Sequence, residues 1–80
     1  MSDGDRWQVV VHNDDHNTFS VVRHLLKKVC GHDADTARAL TAQVHDNGRA
    51  VAGTYDRATA EAITLRLVRF GLHAKFGRVR

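Results

Sequence analysis

The 80-residue sequence predicts a small α+β sandwich: three strands covered on one face by three helices, in the order β-α-α-β-α-β. Three observations carry this. Strand-forming residues gather in three short stretches, Trp7 to His12, Arg49 to Tyr55 and Leu72 to Gly77. Apolar residues recur at helical spacing in the intervals between them. Gly and Asp stand where one pattern gives way to the next, and proline is absent, so capping residues must end the elements. This length holds one domain with one thin core.

Met1 to Asp5 is polar and Gly-containing, which predicts a short flexible lead over residues 1–6 and a single core domain over 7–80. Trp7 to His12 is the first strand, and its unbroken Val9-Val10-Val11 predicts a central or well-covered position. Val21, Val22, Leu25, Leu26 and Val29 form the inner stripe of a helix from Phe19 to Val29, with Arg23, Lys27 and Lys28 on its outer face. Gly31 stops it. Asp33 is placed to cap a second helix from about Ala34 to Asp46, with Ala37, Leu40, Thr41 and Val44 inward and Asn47-Gly48 at its end. After strand two, Asp56 caps a third helix running to about Phe70, with Ala60, Ile63, Leu67 and Phe70 inward and Gly71 as a left-handed C′ residue. Leu72, Ala74 and Phe76 then alternate with His73, Lys75 and Gly77 as strand three.

A single cysteine excludes an internal disulfide framework and a Cys-rich zinc site, and suits a reducing, cytoplasmic setting. No basic, apolar, small-residue leader opens the sequence, and no apolar run approaches the roughly 20 residues that span a bilayer. The expectation is a cytosolic protein with no membrane contact. The net charge of +3 is modest, with Lys75, Arg78 and Arg80 near the C-terminal end and a second group on the first helix. That permits an acidic partner without identifying one.

The stretch from Val9 to Thr18 carries the most chemistry, because a hydrophobic strand runs into a loop with adjacent carboxylates at Asp14 and Asp15. Asn13, Asp14, Asp15 and Asn17 are turn-forming and helix-capping types, so the plain reading is a turn and an N-cap. A cap needs one acid, however, and two carboxylates with flanking amides make an acceptor-rich rim suited to a cation. His45 lies on the inner edge of helix two, beside Val44 and one turn after Thr41. Alone it reads as a structural histidine. Joined to Asn13 and Asp14, its acceptor nitrogen completes three acceptors matched to an ammonium group.

Other chemistries are weaker. His12, His16 and Asp14 are close in sequence but lack an established zinc spacing, and the EF-hand pattern is absent, so no metal or other cofactor is expected. Cys30 ends an apolar stripe as a small core residue. No nucleophile elbow, Walker or dinucleotide fingerprint occurs, which leaves no basis for an enzyme. The basic clusters invite a nucleic-acid or ribosome-associated reading, but only Trp7, Tyr55 and Phe76 could stack bases from the sheet, and at least two of these read as core.

The segments Val-Val-Val-His-Asn-Asp-Asp (9 to 15), Leu-Leu-Lys-Lys-Val-Cys-Gly-His-Asp (25 to 33), Gln-Val-His-Asp-Asn-Gly-Arg-Ala-Val (43 to 51) and Ala-Glu (60 to 61) resemble the ClpS adaptor family. The resemblance is colinear from Trp7 to about Phe76. It implies three antiparallel strands against three helices, a fold related to the C-terminal domain of a ribosomal stalk protein. It also implies a non-enzymatic, monomeric adaptor of the bacterial N-degron pathway, binding proteins that begin with Leu, Phe, Tyr or Trp. Such an adaptor delivers them to a ClpA- or ClpC-type AAA+ unfoldase with ClpP. By position, Asn13, Asp14 and His45 match the residues that hold the substrate α-amino group. Val22, Thr41 and Val44 match the side-chain pocket, with Asn17 and Phe19 at its rim and Ala74 closing it from strand three.

Three residues depart from the family pattern. Thr41 stands where most relatives carry methionine, which predicts a roomier pocket. Phe19 replaces a frequent methionine at the rim, and His16 stands where an aromatic is common.

Overall fold

The computed structural model describes residues 6–79, so the expected lead, apart from Arg6, and the basic Arg80 lie outside the described residues. The elements are β1 (Trp7–His12), α1 (Phe19–Lys28), α2 (Ala34–Asn47), β2 (Arg49–Tyr55), α3 (Arg57–Arg69) and β3 (His73–Arg78). Their order is the predicted one. The sheet runs β2-β1-β3 with both pairings antiparallel, which puts the valine-rich β1 in the centre as expected. α2 lies against β2, α3 against β3 and β1, and α1 packs on α2.

Side-chain caps start every helix. Asp33 and Asp56 accept from the backbone N–H of Thr36 and Thr59, as their positions predict. α1 is capped by Thr18, whose hydroxyl accepts from Val21 N–H, and this leaves the carboxylates of the preceding loop to other work. Gly31, Gly48 and Gly71 follow the three helices at positive φ, where a side chain would be strained.

The core joins Val9 and Val11 of β1 to Leu26 and Leu67, all at most 1% exposed. Around them Ala37, Ala50, Ala52, Ala60 and Ala74 are buried, and these small side chains let the helices approach the sheet closely. Two polar side chains are buried among the described residues, Thr41 and Thr64. Each hydroxyl donates to the carbonyl one turn earlier, Ala37 O at 2.6 Å and Ala60 O at 2.8 Å, so neither is left unpaired. A bulge in β2 places Val9 opposite Gly53 and Val10 opposite Val51, and the carbonyl of the intervening Ala52 accepts a hydrogen bond from the His32 ring. The α1–α2 connection is thereby tied to the sheet.

Two expected core positions are corrected. Val21 is 41% exposed, because α1 meets its neighbours along the narrower stripe of Val22, Leu25, Leu26 and Val29. Phe70 is 48% exposed, because it lies past the last helical residue, where the chain turns away at Gly71. Leu72 takes the interior place instead, its N–H bonded to Leu67 O at 3.0 Å. The Phe70 ring lies near Lys28 Nζ, 5.9 Å from its centroid.

Replacing Leu67 by Ala should cost about 2 to 5 kcal/mol in urea unfolding, whereas Val68→Ala on the exposed side of α3 should stay within about 0.5 kcal/mol. Equal losses at the two positions would contradict this placement of the core.

Candidate functional site

β1 ends at His12, and the next residue, Asn13, donates its backbone N–H to Gly48 O at 2.8 Å. Gly48 caps α2 with φ 87° and returns its own N–H to Val44 O. One backbone bond therefore pins the start of the β1–α1 loop to the end of α2. His45 is exposed on that last turn, three residues before Gly48, and continues the face that carries Thr41 one turn earlier.

The loop is ordered around Asp14. Its Oδ1 accepts from the backbone N–H groups of His16 and Asn17, both at 2.8 Å, an arrangement typical of Asx turns. The Asn17 amide nitrogen approaches both carboxylate oxygens, Oδ1 at 3.1 Å and Oδ2 at 2.9 Å, and donates to Gly71 O at 2.8 Å. Asn17 thus joins the loop to the α3–β3 turn, 54 residues away in sequence. Donation from the Asn17 amide lowers the Asp14 pKa below the usual carboxylate value; burial opposes this, and the backbone N–H groups of His16 and Asn17 add to the lowering. At neutral pH Asp14 is a carboxylate. Its Oδ2 receives one bond from within the loop and keeps lone-pair capacity for a further donor.

The apolar candidates are buried. Val22, Val44 and Ala74 belong to the core cluster, and Thr41 is 2% exposed. Because the Thr41 hydroxyl is engaged by Ala37 O, its methyl group is left to contact apolar neighbours. Phe19, the first residue of α1, is 41% exposed and one turn from Val22 on the same face. Asn13 and His45 are exposed and Asp14 keeps acceptor capacity, so this corner can accept from a cationic group, while the apolar candidates lie in the core.

The histidines do not assemble a metal centre. His12 stacks obliquely on His73, ring centroids 5.2 Å apart, and among the described residues no three His, Cys, Asp or Glu side chains are grouped to hold a metal ion. Cys30 packs against the core, and burial pushes its thiol pKa up, the opposite of what a thiolate nucleophile needs. Among the described residues no helix is long and apolar enough to cross a membrane. The carbonyls of Gly48 and Gly71 escaped the sequence reading. Both glycines are visible there as helix ends, but their pairing with a distant loop is not.

The family model described as ATP-dependent Clp protease adaptor protein ClpS matches residues 2–76. Two curated proteins named ATP-dependent Clp protease adapter protein ClpS are each 34% identical over 55 residues, 69% of this chain. The match covers 53% of the protein from Desulforapulum autotrophicum and 52% of that from Vibrio atlanticus, so the chain spans about half the length of these relatives. Among solved structures, Agrobacterium tumefaciens ClpS2 bound to L-phenylalaninamide has the same fold, with a TM-score of 0.89 at 24% identity over 95% of this chain and 99% of that one.

Asn17→Ala should bring the Asp14 pKa back toward the ordinary carboxylate value, readable by NMR titration of the side-chain carboxyl, and lower stability by about 1 kcal/mol. The sign follows from linkage: a depressed carboxyl pKa contributes stability above the unfolded value that is lost as pH falls through the folded one. In the variant this acid-sensitive contribution should shrink. An unchanged Asp14 titration would show that Asn17 does not hold the carboxylate.

Proposed function

The chain belongs to the ClpS family of ATP-dependent Clp protease adaptor proteins, and from that premise we propose that it is a non-catalytic adaptor that recognises proteins by a free N-terminus bearing Leu, Phe, Tyr or Trp. It passes them to a ClpA- or ClpC-type AAA+ unfoldase working with ClpP, acting as a monomer in the cytoplasm. The observation that carries the binding step is the Asn13 N–H bond to Gly48 O, which brings the Asn13-Asp14 loop to the turn of α2 that bears His45. Agrobacterium ClpS2 holds L-phenylalaninamide, which combines a free α-amino group with a bulky apolar side chain.

In this reading Asn13, Asp14 and His45 accept from the α-ammonium group, Val22, Thr41, Val44 and Ala74 surround the first side chain, and Phe19 forms the rim. Asn17 positions Asp14 and shapes the rim beside it. An α-amino group, with a pKa of roughly 8, is mostly cationic near neutrality and offers three donors, whereas an internal peptide N–H offers one neutral donor. This selects a true chain end. Burying a Leu- or Phe-sized side chain contributes about 1.5 to 3 kcal/mol more, so end and side chain together set specificity.

Fluorescence anisotropy with a peptide beginning Phe should show binding that falls at least about tenfold on N-acetylation, since bonds to a charged donor are worth about 1.5 to 3 kcal/mol. Asp14→Asn and His45→Ala should each reduce affinity for the free amine, and equal binding of the acetylated peptide would overturn the assignment. Affinity should also drop above about pH 8, where the amine loses its proton. Unchanged affinity from about pH 7 to about pH 9.5 would exclude recognition of the ammonium form.

Thr41 tests pocket size. The native chain should take Ile-starting peptides at an appreciable fraction of its affinity for Leu-starting ones, and Thr41→Met should increase the discrimination several-fold. Equal rejection of Ile by both proteins would remove Thr41 as the determinant.

A further inference from the structure

We propose that the solvent-facing side of the sheet is a second docking surface, which takes an extended acidic segment of a partner protein carrying an apolar side chain. Val9 and Val11 face the helices, so the alternation of β1 turns Gln8, Val10 and His12 to the other side. Register places Arg49 and His73 directly on either side of His12, and Val51 and Lys75 on either side of Val10. A row of three basic side chains, Arg49, His12 and His73, thus crosses the sheet, and the next row on this face holds Val51, Val10 and the basic Lys75.

No strand contains Asp or Glu, so this face has no counter-charge of its own among the strand residues. Basic groups in direct cross-strand register oppose one another. The effect is visible at His12, whose pKa is lowered by burial and then by His73, Lys75 and Arg49, the charged groups that face it from β3 and β2. An incoming carboxylate relieves that repulsion. Next to Arg49, a depression of about 290 Å³ is lined by Gln8, Val10, Gln43, Arg49, Ala50 and Val51. Val10 and Val51 in its lining receive an apolar side chain while the flanking row receives carboxylates.

Charge complementarity selects the occupant. A second copy of this chain would bring a basic face onto a basic face, at a net charge of +3 per chain. RNA would require stacking surfaces, yet Trp7, Tyr55 and Phe76 pack against the core on the covered side. The other basic groove, between α1 and α2, is lined by Arg23, Lys27 and Arg38 but contains Asp35, and its one apolar lining residue is the small Ala34. Carboxylates beside the row also favour imidazolium at His12, so docking takes up protons and tightens as pH falls through the histidine range.

The test uses an N-acetylated, C-amidated peptide of alternating Asp and Val, followed by amide NMR and anisotropy on the full chain at low salt. Acetylation removes the free amine required at the Asn13-Asp14-His45 site, so this experiment is independent of N-terminal recognition. Shifts should map to Val10, His12, Val51, His73 and Lys75. Arg49→Gln and Lys75→Gln should each weaken binding about two- to fivefold. Binding should tighten from about pH 7.5 to about pH 5.5, and His12→Gln, checked for native stability by thermal melting, should remove most of that gain. The proposal is overturned if shifts are absent or fall on Arg23, Lys27 and Arg38. It is equally overturned if an Asp/Ser peptide of the same charge binds as tightly, or if oligouridylate binds these residues better than the Asp/Val peptide.

Discussion

Placing β1 between β2 and β3 makes one six-residue strand the shared partner of both halves of the chain. On one side stand α1, α2 and β2, on the other α3 and β3, and each pairs with β1 through an antiparallel ladder. Val9 and Val11 are consequently sealed between the two halves. The end of β1 also fixes where the loop emerges, because the ladder that pairs His12 with Arg49 brings Asn13 beside Gly48.

From that point the β1–α1 loop is held at two places: Asn13 bonds to the end of α2, and Asn17 bonds to the turn after α3. Hydrogen bonds of this kind contribute about 0.5 to 1.5 kcal/mol net, while ordering a residue's backbone costs about 1 to 2 kcal/mol. The bonds offset much of the entropy of fixing Asn13 to Asn17, and they place that cost in folding. In the proposed reading a ligand then meets a carboxylate already aimed, which is the advantage of a preorganised site.

Much of this architecture was legible in the sequence because it is local. Period-two and helical patterns marked the elements, Asp33 and Asp56 stood at helix starts, and the run of valines pointed to the central strand. The misread positions depended on tertiary packing or on competition between local caps. Val21 looks as apolar as Val22, and only the width of the α1 contact separates them. Phe70 fits the helical period, but the turn at Gly71 hands its interior place to Leu72. In the β1–α1 loop, four Asx residues could have capped α1, and Thr18 does so. Asn13, Asp14 and His45 stood out by their acceptor chemistry and the pocket residues by family resemblance, whereas the link from Asn17 to Gly71 spans 54 residues and no local pattern encodes it. The row of Arg49, His12 and His73 was hidden for a related reason: it exists only once strand order and register are known.

The two candidate surfaces meet at consecutive residues, His12 and Asn13, yet they are separated in charge. Asp14 and Asp15 concentrate carboxylates in the loop, while the strands hold Arg49, Lys75 and Arg78 without an acid among them. A cationic chain end is attracted to the first region and repelled by the second, and an acidic segment experiences the reverse. Opposite charge would therefore keep the two proposed polypeptide ligands on neighbouring surfaces without exchanging places. The alternation of β1 separates them further by direction, sending His12 to the open face while Asn13 is tied to α2. A small domain with one core can in this way keep two recognition chemistries apart, since the sheet that supplies its stability also divides its surface.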